Sequence, residues 1–266
     1  MIIDAHCHLG SSPQFHFADV AVGRMLGLMD RLRIDRTVCC HLGMLQGAWG
    51  LGYRESLEAF RETSGRFVFL AAFDPNDSKS LRLVQACLDR EEFVGVKIHP
   101  SLHNCPAEDE RYDAVWQLAA ARRVPILTHS WDMSEQNPVQ RLSFPNRFEN
   151  YVSRYPEVTL ILGHAGGRYR GHMAAAEMAR RYRNVFLDTS GDCYTLGLIE
   201  HLVERAGADK LMFGSDMTWI DPRTQLGMIL DADVPTDAKR MILGGNAARV
   251  FNFADAVSRE NASQSS

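Results

Sequence analysis

The sequence predicts a (β/α)8 barrel, and two observations lead to that prediction. Eight short apolar stretches alternate with stretches of helical apolar spacing over about 250 residues, which is the pattern of this fold. The first apolar stretch ends in His-Cys-His rather than in the glycine-rich phosphate turn expected of a doubly wound open sheet. We therefore expect one (β/α)8 domain over residues 1–254, followed by a flexible, serine-rich tail over residues 255–266.

The predicted strands are short and rich in β-branched and aromatic residues, and most of them end in a polar residue. They span residues 2–10, 36–42, 66–73, 93–99, 124–129, 158–164, 185–188 and 210–216. Residues 43–52 contain four glycines and are predicted to form a loop. Residues 130–146, rich in Ser, Asn and Pro, are predicted to form a longer loop. Helices are predicted in all the connections between strands, including residues 53–63 and 147–154 after these two loops.

The composition excludes several classes of protein. The chain has 266 residues, of which 45% are hydrophobic, so it can bury a large core. Its net charge of −4 argues against a nucleic-acid partner, and no apolar run is long enough to span a membrane. The six cysteines are scattered without a Cys-X-X-Cys pair and the N-terminus has no leader pattern, so we expect a reduced, cytoplasmic protein.

Residues that can bind a metal ion recur at the carboxyl ends of the predicted strands. Successive side chains of a strand point to opposite faces, so His6 and His8 share one face of the first strand and can converge on one ion. Later strands end in residues of similar kinds, namely Lys97, His99, His129, His164 and Asp216. Because this barrel carries its functional residues at the carboxyl ends of its strands, we expect these side chains to surround one site.

Several segments, taken together, resemble the amidohydrolase superfamily. They are His6-Cys7-His8, Val96-Lys97-Ile98-His99-Pro100, Thr128-His129, Leu162-Gly163-His164-Ala165-Gly166-Gly167 and Phe213-Gly214-Ser215-Asp216. The resemblance spans residues 2 to about 252 and is strongest to the amidohydrolase-2 group, which also contains enzymes of the aminocarboxymuconate-semialdehyde decarboxylase type. Residues 242–249 are similar to the C-terminal segment of the same group.

This resemblance implies a metal-dependent TIM-barrel enzyme. The metal ligands would be His6, His8, His129 and Asp216. The cofactor would be a divalent metal ion, Zn²⁺ first, with Mn²⁺ or Fe²⁺ as alternatives. The ion would activate a water molecule, and Asp216 would take its proton and return it to the leaving group. His164 would either orient the water or the substrate as a second catalytic residue or bind a second ion, and one ion is favoured over two.

Lys97 has two interpretations. In two-metal relatives a lysine on the fourth strand carries a carbamate that bridges the ions, and a carbamylated Lys97 would be a metal ligand in the same way. The one-metal relatives do without this bridge, and an unmodified Lys97 would then be a cation for a substrate carboxylate. His99, two residues further along the same face, is another candidate for substrate binding.

Residues in the predicted rim loops complete the candidate substrate site. Trp131 and Arg168 are predicted to bind the substrate, with Arg168 contacting a carboxylate. His16 and Trp49 are further loop candidates. His41, at the end of the second strand, is either a pocket residue or a core histidine.

Two enzymatic functions are compatible with these residues. The first is a metal-dependent hydrolase that cleaves an amide, lactone or ester bond of a small, carboxylate-bearing substrate with metal-activated water. The alternative is a metal-dependent, non-oxidative decarboxylase of a small aromatic or unsaturated acid, because the same ligands serve both reactions. A non-catalytic barrel is a third interpretation. We expect a small-molecule substrate and no nucleic-acid or membrane partner, and since barrels of this kind often pair, a homodimer is the oligomeric state to test.

Overall fold

The computed structural model describes residues 1–11 and 21–253, and within them it confirms the predicted barrel. The eight strands are β1 (Ile3–Leu9), β2 (Arg36–His41), β3 (Phe67–Phe73), β4 (Phe93–Ile98), β5 (Ile126–Thr128), β6 (Leu160–Leu162), β7 (Val185–Asp188) and β8 (Leu211–Met212). They follow one another around the sheet in chain order, and every paired neighbour is parallel. All carboxyl ends therefore meet at one rim. His16 and the predicted tail over residues 255–266 lie outside the described residues.

The barrel closes through contacts between β1 and the chain that follows β8. The amide of Ala5 donates to the carbonyl of Phe213 over 2.8 Å, and the amide of Asp216 donates to the carbonyl of His6 over 2.9 Å. These backbone bonds place the end of the last strand beside the end of the first. Residues that are 210 positions apart in the chain thus come to share one site.

A buried carboxyl group supports this closure. Oδ1 of Asp4 accepts a hydrogen bond from the amide of Ser215 over 3.0 Å, and the Ser215 hydroxyl also donates to Asp4. The same hydroxyl oxygen accepts from the amide of Met217 over 2.9 Å. Burial raises the pKa of Asp4 to about 7, although the hydrogen bonds from Ser215 act in the opposite direction. The turn after β8 is therefore tied to β1 by side chains as well as by the backbone.

Helices surround the strands on the outside of the barrel. Those within the described residues are α1 (Val22–Leu32), α2 (Leu42–Leu45), α3 (Trp49–Glu62), α4 (Ser80–Leu88), α5 (Asp113–Arg122), α6 (Glu149–Arg154), α7 (Tyr169–Arg181), α8 (Leu198–Ala206), α9 (Pro222–Asp231), α10 (Thr236–Arg240) and α11 (Asn246–Val250). A π-helical turn, Met241–Gly245, joins α10 to α11. Short 3-10 turns occur in several connections, including Pro138–Ser143 in the long loop after β5.

The predicted loop at residues 43–52 is wrong, because this stretch contains α2 and the start of α3. One of its glycines, Gly52, serves close packing, whereas Gly47 has a left-handed φ of 86° in the turn between α2 and α3. A Cβ added at Gly52 would lie 2.9 Å from the backbone nitrogen of Met44, so only glycine lets the two helices approach this closely. Trp49 begins α3, and its indole nitrogen donates to the carbonyl of Ala72 on β3 over 3.4 Å.

Four strands end before the polar residues that the sequence placed on their tips. β4, β5, β6 and β8 end at Ile98, Thr128, Leu162 and Met212. His164 and Asp216 have left-handed backbone conformations, with φ of 60° and 61°, and such residues cannot continue a strand. This conformation costs a non-glycine residue on the order of 1 kcal/mol, which the surrounding contacts must offset.

The interior of the barrel is apolar and closely packed. β3 is buried at every position, as expected for a strand that is covered on both faces. The six cysteines are all buried and none forms a disulfide, as is common for free cysteines that pack as small apolar residues. Within residues 1–11 and 21–253, no helix combines the length and the apolar character needed to cross a membrane.

One buried amide joins the segment before β6 to β7. The Nδ2 atom of Asn184 lies 3.2, 3.2 and 3.0 Å from the carbonyl oxygens of Val152, Tyr155 and Val158. Without this donor, these buried carbonyl groups would lose hydrogen bonds that water cannot replace.

We predict that Asn184→Leu lowers the free energy of unfolding by about 1–3 kcal/mol, because it leaves buried acceptors unsatisfied. Urea unfolding followed by circular dichroism measures the change. Asn150→Leu, at an exposed position of α6, is the matched control and should stay within about 0.5 kcal/mol of the wild type. Equal unfolding midpoints for the two variants would show that the Asn184 bonds do not stabilise the barrel.

Candidate metal centre and active site

Barrel closure brings three potential metal ligands together at the rim. His6 and His8 share one face of β1, as predicted, with ring centroids 5.3 Å apart. Oδ1 of Asp216 lies 3.1 Å from Nε2 of His8 and 3.8 Å from Nε2 of His6. All three side chains are buried, and their ligand atoms lie within 4.8 Å of one another.

Hydrogen bonds decide which nitrogen of each ring is protonated. Nδ1 of His6 lies 3.0 Å from Oδ2 of Asp188, and Nδ1 of His8 lies 3.2 Å from the carbonyl oxygen of Cys40. An ionised carboxylate and a carbonyl can only accept, so Nδ1 donates in both rings and the neutral ring keeps a lone pair on Nε2. Partners of this kind orient histidines that bind metal ions.

The third ligand, Asp216, has a buried oxygen that lacks a partner. Among the described residues, none forms a hydrogen bond with Oδ1 of Asp216. Burial alone would raise the pKa of this carboxyl, but positive charge on the neighbouring imidazoles, His8 first, holds it well below its ordinary value, so the carboxyl is ionised when positive charge occupies this space.

An ionised oxygen, the Nε2 lone pair of His8 and the Nε2 atom of His6, which Lys97 also contacts, thus face one another in a buried space. This arrangement is unfavourable unless a cation lies between them. Imidazole nitrogens together with a carboxylate oxygen form a ligand set that suits Zn²⁺, Mn²⁺ or Fe²⁺. The residues present therefore fit a divalent metal ion held by His6, His8 and Asp216.

A second group of potential ligands consists of His6, His164 and Asp188, again with atoms within 4.8 Å of one another. The hydroxyl of Ser190 lies among them. Its Oγ is 2.9 Å from Nδ1 of His6 and 2.9 Å from Nδ1 of His164, and it donates to Oδ1 of Asp188. Because the hydroxyl and direct hydrogen bonds already satisfy these atoms, we interpret this group as a hydrogen-bond network rather than as a second metal site.

Lys97 contacts the ring of His6. Its Nζ is 2.7 Å from Nε2 of His6, and the residue is 1% exposed. Burial lowers the pKa of Lys97 to about 8, so a part of the amine is neutral near neutral pH. A neutral amine is the form that reacts to give a carbamate, whereas a contact with substrate would require the side chain to turn away from His6. Both roles of Lys97 stay predictions.

His129 lies beside His164 rather than with His6 and His8. Its Nδ1 is 3.0 Å from Nε2 of His164, and its Nε2 is 2.8 Å from Oε1 of Gln140. The His129 ring stacks on His99 at a centroid distance of 4.1 Å and on Trp131 at 5.9 Å. To serve as a metal ligand, His129 would have to exchange its bond to Gln140 for the ion, so that role stays a prediction.

His164 occupies the turn that follows β6. Its left-handed backbone directs its amide to Oδ1 of Asp188 over 3.0 Å, which anchors the turn to the end of β7. Burial lowers the pKa of His164, and burial together with neighbouring cationic groups lowers the pKa values of His99 and His129 further. These rings are therefore neutral at neutral pH.

A cavity of about 670 Å³ opens above these residues. It is lined by six of the predicted site residues, His99, His129, Trp131, His164, Arg168 and Asp216. Trp219 also lines it and stacks on His8 at a centroid distance of 4.7 Å. The cavity thus connects the candidate metal ligands to aromatic walls that suit a planar ligand.

A guanidinium group lies at the edge of this cavity. The guanidinium of Arg168 is 5.0 Å from the ring centroid of Trp131 and forms an ion pair with Asp192 over 3.2 Å. Arg170, by contrast, makes two hydrogen bonds of 3.0 Å with the buried carboxylate of Asp132. Arg168 is therefore the arginine that can meet a substrate carboxylate, while Arg170 holds the loop after β5 against α7.

The remaining rim candidates lie apart from this cavity. Nδ1 of His41 accepts from the amide of Gly43 over 3.0 Å, and its Nε2 donates to Glu55 over 2.8 Å. Both ring nitrogens are thus used within the protein, which favours the interpretation of His41 as a core histidine. Trp49 bonds to Ala72 at the start of α3, as described above, and does not line the cavity.

Asp188, Ser190 and Gln140 contact the site but are not among the residues predicted from the sequence. The sequence does carry a signal for Asp188, because it directly follows the apolar residues of β7, in the same position that marked Asp216 and the histidines. Ser190 and Gln140 carry no such signal, since single polar residues in loops are common.

Comparisons with known proteins agree with this structure. The family model described as Amidohydrolase matches residues 3–253. Similar solved structures include 5-carboxyvanillate decarboxylase from Sphingomonas paucimobilis, at 16% identity and a TM-score of 0.73, covering 94% of this chain and 98% of the other. 4-Oxalomesaconate hydratase from Rhodopseudomonas palustris is similar at 17% identity and a TM-score of 0.71, covering 100% of both chains.

A third similar structure contains a metal ion. Dihydroxybenzoic acid decarboxylase from Polaromonas sp. JS666, with bound manganese and the inhibitor 2-nitroresorcinol, has 16% identity and a TM-score of 0.69, covering 95% of this chain and 97% of the other. At such identities the structures establish the shared fold alone. No curated protein sequence matches the chain. The family model covers nearly the whole barrel, and the chain therefore belongs to the amidohydrolase-2 family of metal-dependent enzymes.

Proposed function

We propose that this protein is a metal-dependent hydrolase that cleaves an amide, lactone or ester bond of a small, carboxylate-bearing substrate. The observation that carries the proposal is the convergence of two imidazole lone pairs on the unpartnered oxygen of Asp216. This convergence lies beside a cavity of suitable size for a small molecule. A divalent cation held there would supply Lewis-acid chemistry, by lowering the pKa of water and polarising a substrate carbonyl.

Residues of the protein would bind the cation and transfer the proton. His6, His8 and Asp216 would bind the cation, with His129 joining them after release from Gln140. Asp216 would take a proton from the attacking water through its carboxylate and return it to the leaving group. Once His129 has moved to the cation, Nε2 of the neutral His164 ring, which also lines the cavity, would accept a hydrogen bond from the water and hold it in position.

The cavity walls suggest the kind of substrate. Trp131 and Trp219 offer flat apolar surfaces, and Arg168 offers a cation at the edge. A guanidinium binds a carboxylate with two parallel hydrogen bonds. We therefore propose a small acid that lies between the indoles and places its carboxylate on Arg168, with its scissile bond toward Asp216.

A decarboxylase is the second candidate, and the aromatic lining of the cavity favours it. Stacked rings of His99, His129 and Trp131 would hold a planar aromatic or unsaturated acid. Two of the similar structures are decarboxylases of aromatic acids by name. In this reaction the substrate carboxylate would lie toward the metal ligands, and a positioned acid would protonate the carbanion.

We predict that the purified protein binds about one divalent ion per chain and that a chelator removes both the ion and the turnover. Replacing a residue that hydrogen-bonds to a metal ligand typically weakens metal binding by about 10–100-fold. Removing a ligand itself should cost more, so we expect His8→Ala to bind the ion at least about 100-fold more weakly. Elemental analysis and competition with a chromogenic chelator measure this. His201→Ala, on α8, is the control and should bind as the wild type does. Turnover that survives metal removal would contradict the proposal.

The reaction class is decided by the product. We predict that a panel of small lactones, amides, esters and unsaturated acids yields a product that carries ¹⁸O when the reaction runs in H₂¹⁸O. Mass spectrometry detects the label, and a coupled assay detects carbon dioxide in the same samples. Release of carbon dioxide without ¹⁸O in the organic product would instead establish the decarboxylase.

We predict that Arg168→Ala raises KM for the substrate found in that panel by about 10–100-fold with a smaller effect on kcat, because a charged hydrogen bond contributes about 1.5–3 kcal/mol. Steady-state kinetics measure both parameters. Arg180→Ala on α7, an exposed arginine paired with Glu177, is the matched control and should not change either. An unchanged KM in Arg168→Ala would exclude Arg168 as the carboxylate site.

A further inference from the structure

We propose that Asp188 and Ser190 are positioning residues that fix which ring nitrogen of His164 and of His129 carries the proton. Neither residue lines the cavity, so both would act through the histidines. The significance of this arrangement for catalysis rests on the proposed function, but the arrangement itself follows from the hydrogen bonds of the buried network.

The network starts at the carboxylate of Asp188. Its Oδ1 accepts from the amides of His164 and Ser190, each over 3.0 Å, and its Oδ2 accepts from Nδ1 of His6 over 3.0 Å. The Ser190 hydroxyl also donates to Oδ1. Because backbone amides can only donate, a carboxyl group surrounded by two amides, a hydroxyl and a ring nitrogen acts as the acceptor in all of these bonds.

Ser190 has one hydroxyl hydrogen and three polar neighbours. Nδ1 of His6, 2.9 Å from its Oγ, carries its own hydrogen and donates, so two neighbours compete for the hydroxyl hydrogen. Its Oγ contacts Oδ1 of Asp188 and also lies 2.9 Å from Nδ1 of His164. If the hydrogen pointed to His164, a hydroxyl oxygen would face an ionised oxygen with no proton between them, which is repulsive. The hydrogen therefore goes to Asp188, and the Ser190 oxygen is left as an acceptor. Consequently, Nδ1 of His164 must donate to it.

The proton position of His164 in turn determines that of His129. A neutral His164 with its proton on Nδ1 has a lone pair on Nε2, which lies 3.0 Å from Nδ1 of His129. His129 must then donate from Nδ1 and keep its own lone pair on Nε2. That atom faces the side-chain amide of Gln140, which can turn by 180° to present its NH₂ group instead of its oxygen.

One carboxylate thus sets the proton positions of three rings. Nδ1 of His6 donates to Asp188 directly, while His164 and His129 receive their orientation through Ser190. As a result, each ring has its lone pair on Nε2. The lone pair of His164 accepts from Nδ1 of His129, and it can accept from a water molecule once His129 has moved away, while Nε2 of His129 is kept ready for a cation.

The test reads the tautomers directly by ¹⁵N-detected NMR of histidine-labelled, metal-free protein without substrate. His129→Gln and His164→Gln assign the two signals. We expect the proton on Nδ1 of both rings in the wild type. Ser190→Ala removes the acceptor and should give His164 a mixture of tautomers. Asp188→Asn should move the proton of His164 to Nε2, because the new amide can donate to Ser190 and turn its hydroxyl toward the ring.

Activity is the second readout. Ser190→Ala should lower kcat by about 10–100-fold with little change in KM, as for other residues that orient a reacting histidine. Ser56→Ala is the matched control, since it removes a fully buried hydroxyl that donates to the carbonyl of Gly52 within α3, away from the site.

The outcomes separate this inference from the proposed function. A wild-type His164 with its proton on Nε2 overturns the inference, even if Ser190→Ala fails to fold. The inference is also overturned if His164 keeps its Nδ1 tautomer unchanged in both Ser190→Ala and Asp188→Asn. A protein with the expected tautomers but no hydrolysis of any substrate contradicts the proposed function alone.

Discussion

The backbone hydrogen bonds that close the barrel are the constraint on which the site depends. β1 carries His6 and His8, and the chain after β8 carries Asp216, so these ligands meet only because the last strand pairs with the first. The bond from the Asp216 amide to the His6 carbonyl fixes this register within the site itself. A shift by one residue would turn the two histidines to the opposite face of the strand. Fold and metal site are therefore specified by the same contacts.

The buried polar groups at the rim are stable only as a connected set. Asp188 satisfies the rings and amides around it, and its charge is balanced by many hydrogen bonds. Asp216 is different, because one of its buried oxygens has no partner among the described residues. Burial of an unbalanced carboxylate beside two lone pairs is costly, and a bound cation would remove that cost. This contrast is the basis for our proposal that Asp216 is the ligand of an ion and that Asp188 orients other residues.

Much of this site is predictable from the sequence, because the carboxyl end of a strand can be recognised as a polar residue that directly follows an apolar stretch. That pattern located His6, His8, His164 and Asp216 at the rim, and it could also have located Asp188. The pattern does not encode what happens beyond the strand. The left-handed turns at His164 and Asp216, like the hydroxyl of Ser190, depend on contacts between segments far apart in the chain. The loop predicted for residues 43–52 is wrong for the same reason, since the role of Gly52 is set by its contact with a neighbouring helix.

The central claim is that the convergence of His6, His8 and Asp216 is a cation site. Anomalous diffraction from crystals of the protein loaded with Mn²⁺ tests it most directly, because the signal locates the ion and its ligands without any assay of activity. The account predicts one anomalous peak bonded to Nε2 of His6, Nε2 of His8 and Oδ1 of Asp216. A fully loaded crystal with no peak there, or with the ion bound elsewhere and these three side chains unliganded, would contradict it.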